Sequence, residues 1–377
     1  MDSNLEKSIE KRILHFRRSL SKKNFDTFLV LTEENRRYLS GFTGEDTDFN
    51  ESAGTLFITD SKLILATDSR FKLQAEKEAP LYEIFCYKDG LFNKLADILN
   101  TLKTERLGFE TTRMSYYLYR KLTERIESEK LAVELFPVED MAENLRIIKE
   151  EFEIKQLSKA LFIAESAFKN FTATLGPGMT EKEAAWAMEK RMRESGADKL
   201  SFPTIAASGP NSALPHAIPG ERRFKSGEPI LFDWGAKLDG YCSDISRTLV
   251  IGRPDETFKK VYATVLDAQQ KAIDTIQEGV SSKDVDRAAR SHIESKGFKD
   301  LFTHSLGHGV GLAVHELPRL SPLNERILRQ GMVVTVEPGI YIPGWGGVRL
   351  ENMVVVQKDG ARVLNSLDAS DSALWNK

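Results

Sequence analysis

The sequence contains little cysteine, with only Cys86 and Cys242 in a chain of 377 residues. They fall in apparent strands of different halves, and neither has a second thiol at metal-ligand spacing. This scarcity excludes a disulfide-stapled scaffold and predicts a reducing, cytoplasmic setting. We therefore expect both cysteines to be small buried side chains.

The sequence also lacks long apolar runs and an excess of one charge. No stretch approaches the roughly 20 apolar residues of a membrane-spanning helix, and the charged segment Met1–Arg12 lacks the apolar core of a secretory signal. A formal net charge of -3 gives no electrostatic reason to expect a nucleic acid or a membrane surface as a partner. The length exceeds what one ordinary core fills, so two domains are predicted.

Residues 1–140 alternate between helical and strand patterns, which predicts an N-terminal α/β domain. The apolar positions of Leu5–Leu20 recur with helical spacing, and Asp60 and Ser61 form the turn of a predicted hairpin. The predicted strands are Phe28–Leu31, Thr55–Ile58, Leu63–Ala66, Tyr82–Tyr87, Leu107–Phe109 and Val133–Val138, with a second helix at Leu91–Leu102. The segment contains no cluster of histidine, cysteine or paired carboxylates, so we expect it to shape or oligomerise the protein.

A second domain is predicted for residues 141–377. It begins with Glu143–Leu175, which is densely charged and carries apolar residues at helical spacing, so one long helix is expected there.

An internal duplication organises this second domain. Thr174–Glu183 matches Thr275–Asp284 at a shift of 101 (275 − 174), and Gly227–Asp233 matches Gly331–Glu337 at a shift of 104 (331 − 227). In the first pair, a glycine precedes a Thr or Ser helix cap and an acid three residues later, which is a capping box or a near version of it. In the second pair, an apolar strand ends in a carboxylate. We therefore predict two halves related by a pseudo-two-fold axis, each contributing two carboxylates to a central cleft.

Four carboxylates and one imidazole form the candidate site: Asp233, Asp244, His308, Glu337 and Glu351. Each lies in a turn-like or strand-like stretch rather than on a solvated helix face. An isolated buried carboxylate costs several kcal/mol unless it is paired or bound to metal. Because four acids in one small space carry more negative charge than that space can hold, we predict two divalent metal ions. A bridged metal pair generates hydroxide at neutral pH, so the sequence predicts a hydrolase.

The local sequence brings these acids together across turns. Asp239 and Gly240 form a turn that returns the chain from Asp233 towards Asp244. Glu337 ends an apolar strand before a Pro-Gly turn, and the strand that returns carries the last acid. The competing interpretation is that the acids are ordinary strand-end or helix-cap residues without a metal.

Three of the six histidines, His304, His308 and His315, lie within twelve positions. Glycines on both sides of His308 remove side chains and permit a close approach to a bound ion or substrate. The Gly-x-Gly pattern here is not a phosphate loop, because no Gly-Lys-Ser/Thr follows it. His216 lies on a loop bounded by two prolines, which makes it available to a pocket, although spacing alone does not place it there.

This ordered set of residues resembles the pita-bread metallopeptidases, which include methionine aminopeptidase, aminopeptidase P and prolidase. The resemblance covers residues from Glu150 to the C-terminus and rests on the ordered acids, the His308–Glu316 block and Arg349. Asn35–Gly44 and Ala66–Phe71 resemble the N-terminal domain of the aminopeptidase P, prolidase and creatinase branch. The implied fold class is α+β: an N-terminal α/β creatinase-like domain followed by a C-terminal pita-bread domain with pseudo-two-fold duplicated halves.

The resemblance implies a role for each position of the metal site. Asp233 would chelate one metal, and Asp244 and Glu351 would bridge both. His308 would bind the metal opposite Asp233, and Glu337 would bind near it.

The resemblance also implies roles around the metals. His216, His315 and Glu337 would be catalytic, and both histidines would also contact the substrate. Arg319 matches an arginine that meets the substrate carboxylate in prolidases. Behind the ligands lie two residues that would support them, Arg349 and Thr335.

The implied activity is hydrolysis of the peptide bond before proline, of the aminopeptidase P or prolidase type, by a homodimer. The oxygen-rich ligand set favours Mn²⁺, with Co²⁺, Fe²⁺ or Zn²⁺ as alternatives. The chain departs from the family at Asn352, where an aspartate is frequent, and we expect this change to alter metal affinity without removing a ligand. Two other interpretations stay open: a metal-free hydrolase like creatinase, and a catalytically silent binding module on the same fold.

Overall fold

Residues 3–48 and 51–369 are described by a computed structural model. The chain divides into two units, Met1–Arg146 and Ile147–Lys377. Among the described residues, no helix is both long enough and apolar enough to cross a membrane.

The N-terminal unit consists of helices and strands in alternation. They are α1 (Ser3–Lys22), β1 (Thr27–Val30), α2 (Glu33–Ser40), β2 (Thr55–Thr59), β3 (Leu63–Asp68), α3 (Lys72–Glu78), β4 (Glu83–Tyr87), α4 (Leu91–Leu102), β5 (Arg106–Glu110), α5 (Tyr116–Ser128), β6 (Glu134–Val138) and α6 (Glu143–Arg146).

One mixed sheet forms the centre of this unit, with its strands in the order β4-β3-β2-β1-β5-β6. The predicted hairpin is confirmed, because β2 and β3 pair antiparallel with Leu56 opposite Leu65. Strand β1 is antiparallel to β2 and parallel to β5. Both β1 and β2 are buried along their whole length. Strands with two covered faces require such continuous apolar runs, which is why they were recognisable in the sequence.

The sequence analysis missed three helices of this unit, and its expectation that Cys86 is buried was wrong. Helices α2, α3 and α5 were missed; in α2 the buried Arg36 donates hydrogen bonds to Ser52 Oγ and Gly54 O, so a charged residue occupies a core position and obscures the amphipathic pattern. Both cysteines are free thiols, but only Cys242 is buried. Cys86 is exposed because it lies on the outward face of the edge strand β4.

As far as Ala369, the C-terminal unit contains four long helices and several small sheets. Its elements are α7 (Glu151–Thr172), α8 (Glu181–Glu194), β7 (Lys199–Leu200), β8 (Ile205–Ser208), a 3₁₀ helix (Gly209–Ala213), β9 (Pro229–Trp234), β10 (Ala236–Leu238), β11 (Tyr241–Cys242), β12 (Ile245–Val250), α9 (Glu256–Thr275), α10 (Ser282–Ser295), β13 (Gly307–Gly309), β14 (Glu316–Leu320), β15 (Val333–Val336), β16 (Gly339–Ile342), β17 (Gly346–Arg349), β18 (Asn352–Gln357) and β19 (Gly360–Val363).

The single helix predicted for Glu143–Leu175 is wrong, because the chain leaves the helical conformation between α6 and α7. Ile148 forms an isolated β-bridge with Met332, and Lys149 N donates to Gly331 O at 2.9 Å. Glu150 then starts α7 with a capping box. A partner more than 180 residues away thus overrides the local helical pattern (332 − 148 = 184).

The predicted duplication is confirmed element by element. Strands β8, β9 and β12 form an antiparallel sheet in the order β12-β9-β8, and β13, β15 and β18 repeat that order within a larger sheet. The helix caps repeat as well: Thr180 forms a β-bridge with Arg223, and Ser281 forms one with Ile327. Thr180 forms a capping box with Glu183, three residues later. The Ser281 hydroxyl accepts a hydrogen bond from Lys283 N instead.

Aromatic packing between α7 and β9 positions the first carboxylate. The ring of Phe168 stacks on Trp234 at 4.2 Å and meets Phe232 edge-on at 5.7 Å. Trp234 Nε1 donates to Ala164 O at 2.9 Å. Alternate residues of a strand face opposite sides. Phe232 and Trp234 therefore face α7, and Asp233 between them faces away from the core.

Candidate active site

The residues predicted from the sequence converge on one cleft in the C-terminal unit, with a volume of about 480 Å³. Nine of them line it: Asp233, Asp244, His308, Glu337, Glu351, His216, His315, Arg319 and Arg349. The tenth, Thr335, lies behind the lining and contacts two of these residues. The cleft wall also has apolar members, among them Phe202, Ile205 and Val314.

The duplicated strands bring the acids to the cleft in pairs. Asp233 lies on β9 and Glu337 directly follows the equivalent strand β15, while Asp244 immediately precedes β12 and Glu351 immediately precedes β18. In each half, therefore, one acid comes from the central strand and one from the start of its antiparallel partner. His308 comes from β13, which pairs with β15.

The distances within this group suit metal ligation. Ligand atoms of Asp244, His308 and Glu351 all lie within 4.8 Å of one another. His308 Nε2 is 3.3 Å from Glu337 Oε1 and 3.6 Å from Asp244 Oδ2. Three carboxylates and an imidazole at these separations form the kind of mixed oxygen and nitrogen donor set that divalent metals take.

Two of the cleft's buried carboxylate oxygens, Asp233 Oδ1 and Glu351 Oε1, have no hydrogen-bond partner among the described residues. The second oxygen of each group is held by the protein: Arg349 Nη2 donates to Asp233 Oδ2 at 2.6 Å, and Ser246 Oγ donates to Glu351 Oε2 at 2.9 Å. An unsatisfied buried oxygen costs about 1–3 kcal/mol. Two of them in one cleft, next to further acids, fit a site that binds cations.

Arg349 connects several segments that carry the candidate ligands. Besides Asp233, its guanidinium donates to Ser246 Oγ at 2.9 Å, to Tyr341 Oη at 2.8 Å and to Pro215 O at 3.1 Å. Arginine is suited to this role because its planar group offers five donors in fixed directions.

His308 is oriented by its own strand and by Thr335. Its Nδ1 donates to Gly309 O at 3.1 Å, so Nε2 is the atom that faces the carboxylates. Thr335 Oγ1 accepts from His308 N and donates to Glu337 Oε1, at 3.1 and 3.2 Å. A side chain at Gly307 would put its Cβ 2.0 Å from Thr335 O, so only glycine allows β13 to approach β15 this closely.

The acids respond differently to burial in the metal-free protein. Burial, and then repulsion from Glu351, raises the pKa of Asp244 well above its usual range. Burial, and then repulsion from Glu337, raises the pKa of Glu351 likewise. Burial also raises the pKa of Asp233, although the charge of Arg349 opposes the change. These shifts mark a site whose negative charge lacks compensation by the protein alone.

Glu337 is the exception among the acids. Burial would raise its pKa, but the hydrogen bond and charge of His308 outweigh burial and lower the pKa to about 2. Burial would lower the pKa of His308, but the hydrogen bond and charge of Glu337, together with Gly309 O and the charge of Asp233, raise it. Glu337 is therefore ionised and able to accept a proton.

Three predicted substrate residues also line the cleft. The His315 ring centre lies 4.4 Å from that of His308, and burial lowers the pKa of His315, so its imidazole is neutral at neutral pH. Arg319 lies on β14 directly opposite His308 in the strand register. His216 is exposed on the loop that follows the 3₁₀ helix.

Sequence reasoning missed Tyr341 and left His304 without a role. Tyr341 Oη lies 2.8 Å from His304 Nε2 and also accepts from Arg349. The only sequence signal for Tyr341 was its place in the chain. It lies four residues after Glu337, on a hairpin whose other strand ends at Arg349. Asn352 lies away from the cleft lining, and its Oδ1 accepts from Arg247 Nη2 at 2.9 Å. Its expected effect on metal affinity stays a prediction.

Comparison with known proteins agrees with this geometry. Residues 155–358 match the model of metallopeptidase family M24, and residues 12–148 match the Creatinase/Prolidase N-terminal domain. The chain therefore belongs to metallopeptidase family M24, and it is a peptidase whose family binds divalent metal. The predicted family and the predicted fold class are both confirmed.

Three relatives illustrate the similarity. An Xaa-Pro dipeptidase from Bacillus anthracis is 37% identical with a TM-score of 0.89, covering 96% of this chain and 98% of that one. The X-Pro aminopeptidase from Thermotoga maritima is 36% identical with a TM-score of 0.84, covering 94% and 99%. An Xaa-Pro dipeptidase from Pyrococcus horikoshii is 36% identical over 359 residues, which are 95% of this chain and 97% of its own length.

Proposed function

We propose that this protein hydrolyses the peptide bond before proline, as an Xaa-Pro peptidase that requires two divalent cations. The observation that carries the proposal is the pair of buried, partnerless carboxylate oxygens on Asp233 and Glu351 within the cleft. The names of the similar dipeptidases and aminopeptidase support the choice of proline.

The five predicted ligands would hold the cations: Asp233, Asp244, His308, Glu337 and Glu351. Bound divalent cations would supply a water of lowered pKa and polarise the scissile carbonyl. The oxygen-rich donor set supports Mn²⁺, with Co²⁺, Fe²⁺ or Zn²⁺ as alternatives. Arg349 and Thr335 orient the ligands, because each donates to a ligand carboxylate.

The protein's own groups divide the remaining work. Glu337, ionised beside His308, accepts the proton of the attacking water and returns it to the proline nitrogen as the C–N bond breaks. His315 and His216 flank the substrate carbonyl and donate to the oxyanion that develops on it. Arg319 pairs with a substrate carboxylate when proline is the last residue. Its position opposite His308 supports this role.

The test compares peptides that differ at one position. Protein loaded with Mn²⁺ is incubated with an Xaa-Pro dipeptide, an Xaa-Pro-Xaa tripeptide and the matched peptides that carry alanine instead of proline. We expect hydrolysis of at least one proline peptide and a much slower reaction of its alanine counterpart. Glu351→Gln should abolish activity, while Asp359→Asn, on an exposed turn, should retain it. If neither proline peptide is cleaved, the proposal fails.

The same samples address the two other interpretations. A metal-free hydrolase would stay active after dialysis against a chelator, and a silent binding module would contain the ligands but turn over nothing. Elemental analysis of the purified protein measures the metal content directly. The complete ligand set favours the metal-dependent enzyme over both.

We further propose that residues 1–140 form a shaping domain and residues 141–377 the catalytic domain. We also propose that the protein is a homodimer in the cytoplasm. The free thiols of Cys86 and Cys242 support a reducing compartment. Light scattering after size-exclusion chromatography tests the dimer, and a monomeric mass would remove it.

A further inference from the structure

Glu181 is a buried carboxylate that the sequence analysis did not single out and that the proposed mechanism does not use. It is the first residue of α8, and it is 1% exposed. An acid in the first turn of a helix is favoured by the helix dipole, but burial of its side chain requires hydrogen bonds. The partners of this side chain lie on one loop, between Ser208 and Gly220.

Four donors from that loop surround the carboxylate. Oε1 accepts from Ser208 N at 2.8 Å and from Ser208 Oγ at 2.9 Å, and Oε2 accepts from Gly220 N at 3.1 Å. The Asn211 amide lies 3.1 and 3.2 Å from the two oxygens. Arg222 Nη1 donates to Ser208 Oγ at 2.7 Å, which directs the hydroxyl proton to Glu181. The start, the first turn and the end of the loop are therefore fixed by one side chain.

This loop carries His216 to the cleft. Its far side is fastened by two further bonds, from Arg349 Nη1 to Pro215 O at 3.1 Å and from Gly347 N to Ser212 Oγ at 2.8 Å. His216 itself is exposed, so its position depends on the loop backbone rather than on packing of the ring.

The duplicated half lacks this arrangement. Position 181 corresponds to position 282 (181 + 101), and this residue is a serine, whose hydroxyl donates to the backbone and side-chain oxygens of Asn324 at 2.7 and 3.2 Å. Ser282 starts α10 as Glu181 starts α8. An acid with four loop donors is thus specific to the half that presents a pocket histidine on its loop.

We infer that Glu181 is a positioning residue for catalysis: it closes the Ser208–Gly220 loop and thereby places His216 in the cleft. The inference rests on the proposed function, because it assigns His216 a part in peptide hydrolysis. Glu181 itself touches neither substrate nor metal in this scheme.

The test is a double-mutant cycle on the Mn²⁺-loaded protein. Glu181→Gln preserves the size but places an NH₂ group among groups that all donate, so the loop loses its closure. We expect kcat/KM for an Xaa-Pro dipeptide to fall by about ten- to a hundredfold, the scale of a misplaced catalytic group. In a His216→Ala background, the same change should cost less than about twofold, because the positioned group is already gone.

Glu183→Gln is the matched control. Glu183 belongs to the same helix start, where its carboxylate accepts from Thr180 N at 2.7 Å, but it is not bonded to the loop. This variant should keep kcat/KM within about twofold of wild type, as expected for a surface change. The inference is overturned if the fold-losses of kcat/KM from Glu181→Gln and His216→Ala multiply in the double variant. It is also overturned if Glu183→Gln lowers kcat/KM as much as Glu181→Gln does.

Hydrogen exchange separates the inference from the proposed function. Amides of residues 209–219 should exchange about tenfold faster or more in Glu181→Gln and at the wild-type rate in Glu183→Gln. If the wild-type protein cleaves no proline peptide, the proposed function fails. Independently of that result, unchanged exchange of residues 209–219 in Glu181→Gln would refute the closure of the loop by Glu181. If Glu181→Gln does not fold, Asn211→Ala replaces it, with a smaller loss of about three- to tenfold that must vanish in the His216→Ala background.

Discussion

Asp233 and Glu351 share one arrangement at the scale of single residues. In each, one carboxylate oxygen is held by the protein, through Arg349 or Ser246, and the other has no hydrogen-bond partner among the described residues. The bonded oxygen fixes the group in place, and the second is left for a ligand. Orientation of metal ligands by hydrogen bonds to their other atoms is a general property of metal sites.

The first prediction concerns the pH dependence of metal binding. Burial and repulsion raise the pKa of Asp244 and Glu351, so protons compete with the metal where ordinary carboxylates are already ionised. We expect Mn²⁺ affinity to increase from about pH 5 to 8, with protons released on binding. Titration calorimetry in buffers of different ionisation enthalpy measures both quantities.

In the metal-free protein, the free energy of unfolding should change with pH in the opposite direction, because the contribution of Asp244 and Glu351 decreases as the pH rises. The pKa of each of these two acids is higher in the folded than in the unfolded state, so their contribution to stability is present at low pH and is lost as the pH rises. Glu351→Gln should weaken both pH dependences, and Asp359→Asn should leave them unchanged. A wild-type affinity that is constant across this range would contradict the account.

At the scale of elements, a buried ion pair fastens the turn that carries His315. Lys149 Nζ lies 3.0 Å from Glu316 Oε2, and the two side chains are 2% and 6% exposed. Glu316 Oε1 accepts from Ala313 N at 3.0 Å. A side chain at Gly311 would place its Cβ 2.6 Å from the same carboxylate, so the turn closes tightly around Glu316.

The second prediction tests this pair. Lys149→Met removes the cation from a buried carboxylate, and we expect a loss of about 3–5 kcal/mol in the free energy of unfolding. Lys182→Met is the control, because Lys182 pairs with Glu221 at 2.6 Å on the surface, with exposures of 60% and 77%. Urea denaturation followed by tryptophan fluorescence reports on Ile147–Lys377, since all four tryptophans lie there.

The test compares the losses in the free energy of unfolding of Lys149→Met and Lys182→Met. The exposed pair should contribute about 0–1 kcal/mol. Equal losses in Lys149→Met and Lys182→Met would mean that burial does not strengthen the Lys149–Glu316 pair.

At the scale of the whole molecule, the C-terminal unit repeats one construction twice. Gly178 and Gly279 both have a φ of 90°, a left-handed value that favours glycine. Their amides donate to Phe224 O and Leu328 O, each at 2.9 Å. A hydroxyl helix cap and the same strand order then follow in each half, and each half brings two acids to the cleft.

The third prediction uses this repetition. Thr180→Ala and Ser281→Ala each remove a helix cap, and each should cost about 1 kcal/mol of stability. Because the two caps share no hydrogen-bond partner, the double variant should lose the sum within about 0.5 kcal/mol. The measurement is again urea denaturation followed by tryptophan fluorescence. A large loss from one variant and none from the other would show that the two halves are not energetically equivalent.

Features encoded within a few residues were predictable from the sequence. The glycine, cap and acid at the start of α8 and α10 are such features, and so are the apolar strands that end in Asp233 and Glu337. Their chemistry is local: a left-handed glycine, a hydroxyl that accepts from the next turn, and a carboxylate that interrupts an apolar run. The order of these features along the chain was enough to indicate the duplicated fold and the acids of the site.

The tertiary structure decided what depends on partners distant in the chain. The bridge from Ile148 to Met332 ends a helix that the local pattern would continue. The bond from Arg349 to Asp233 spans 116 residues, and Glu181 reaches Gly220 across 39. Local sequence specifies the conformation that a segment prefers, whereas the pairing of buried charges depends on which segments the folded core brings within hydrogen-bond distance.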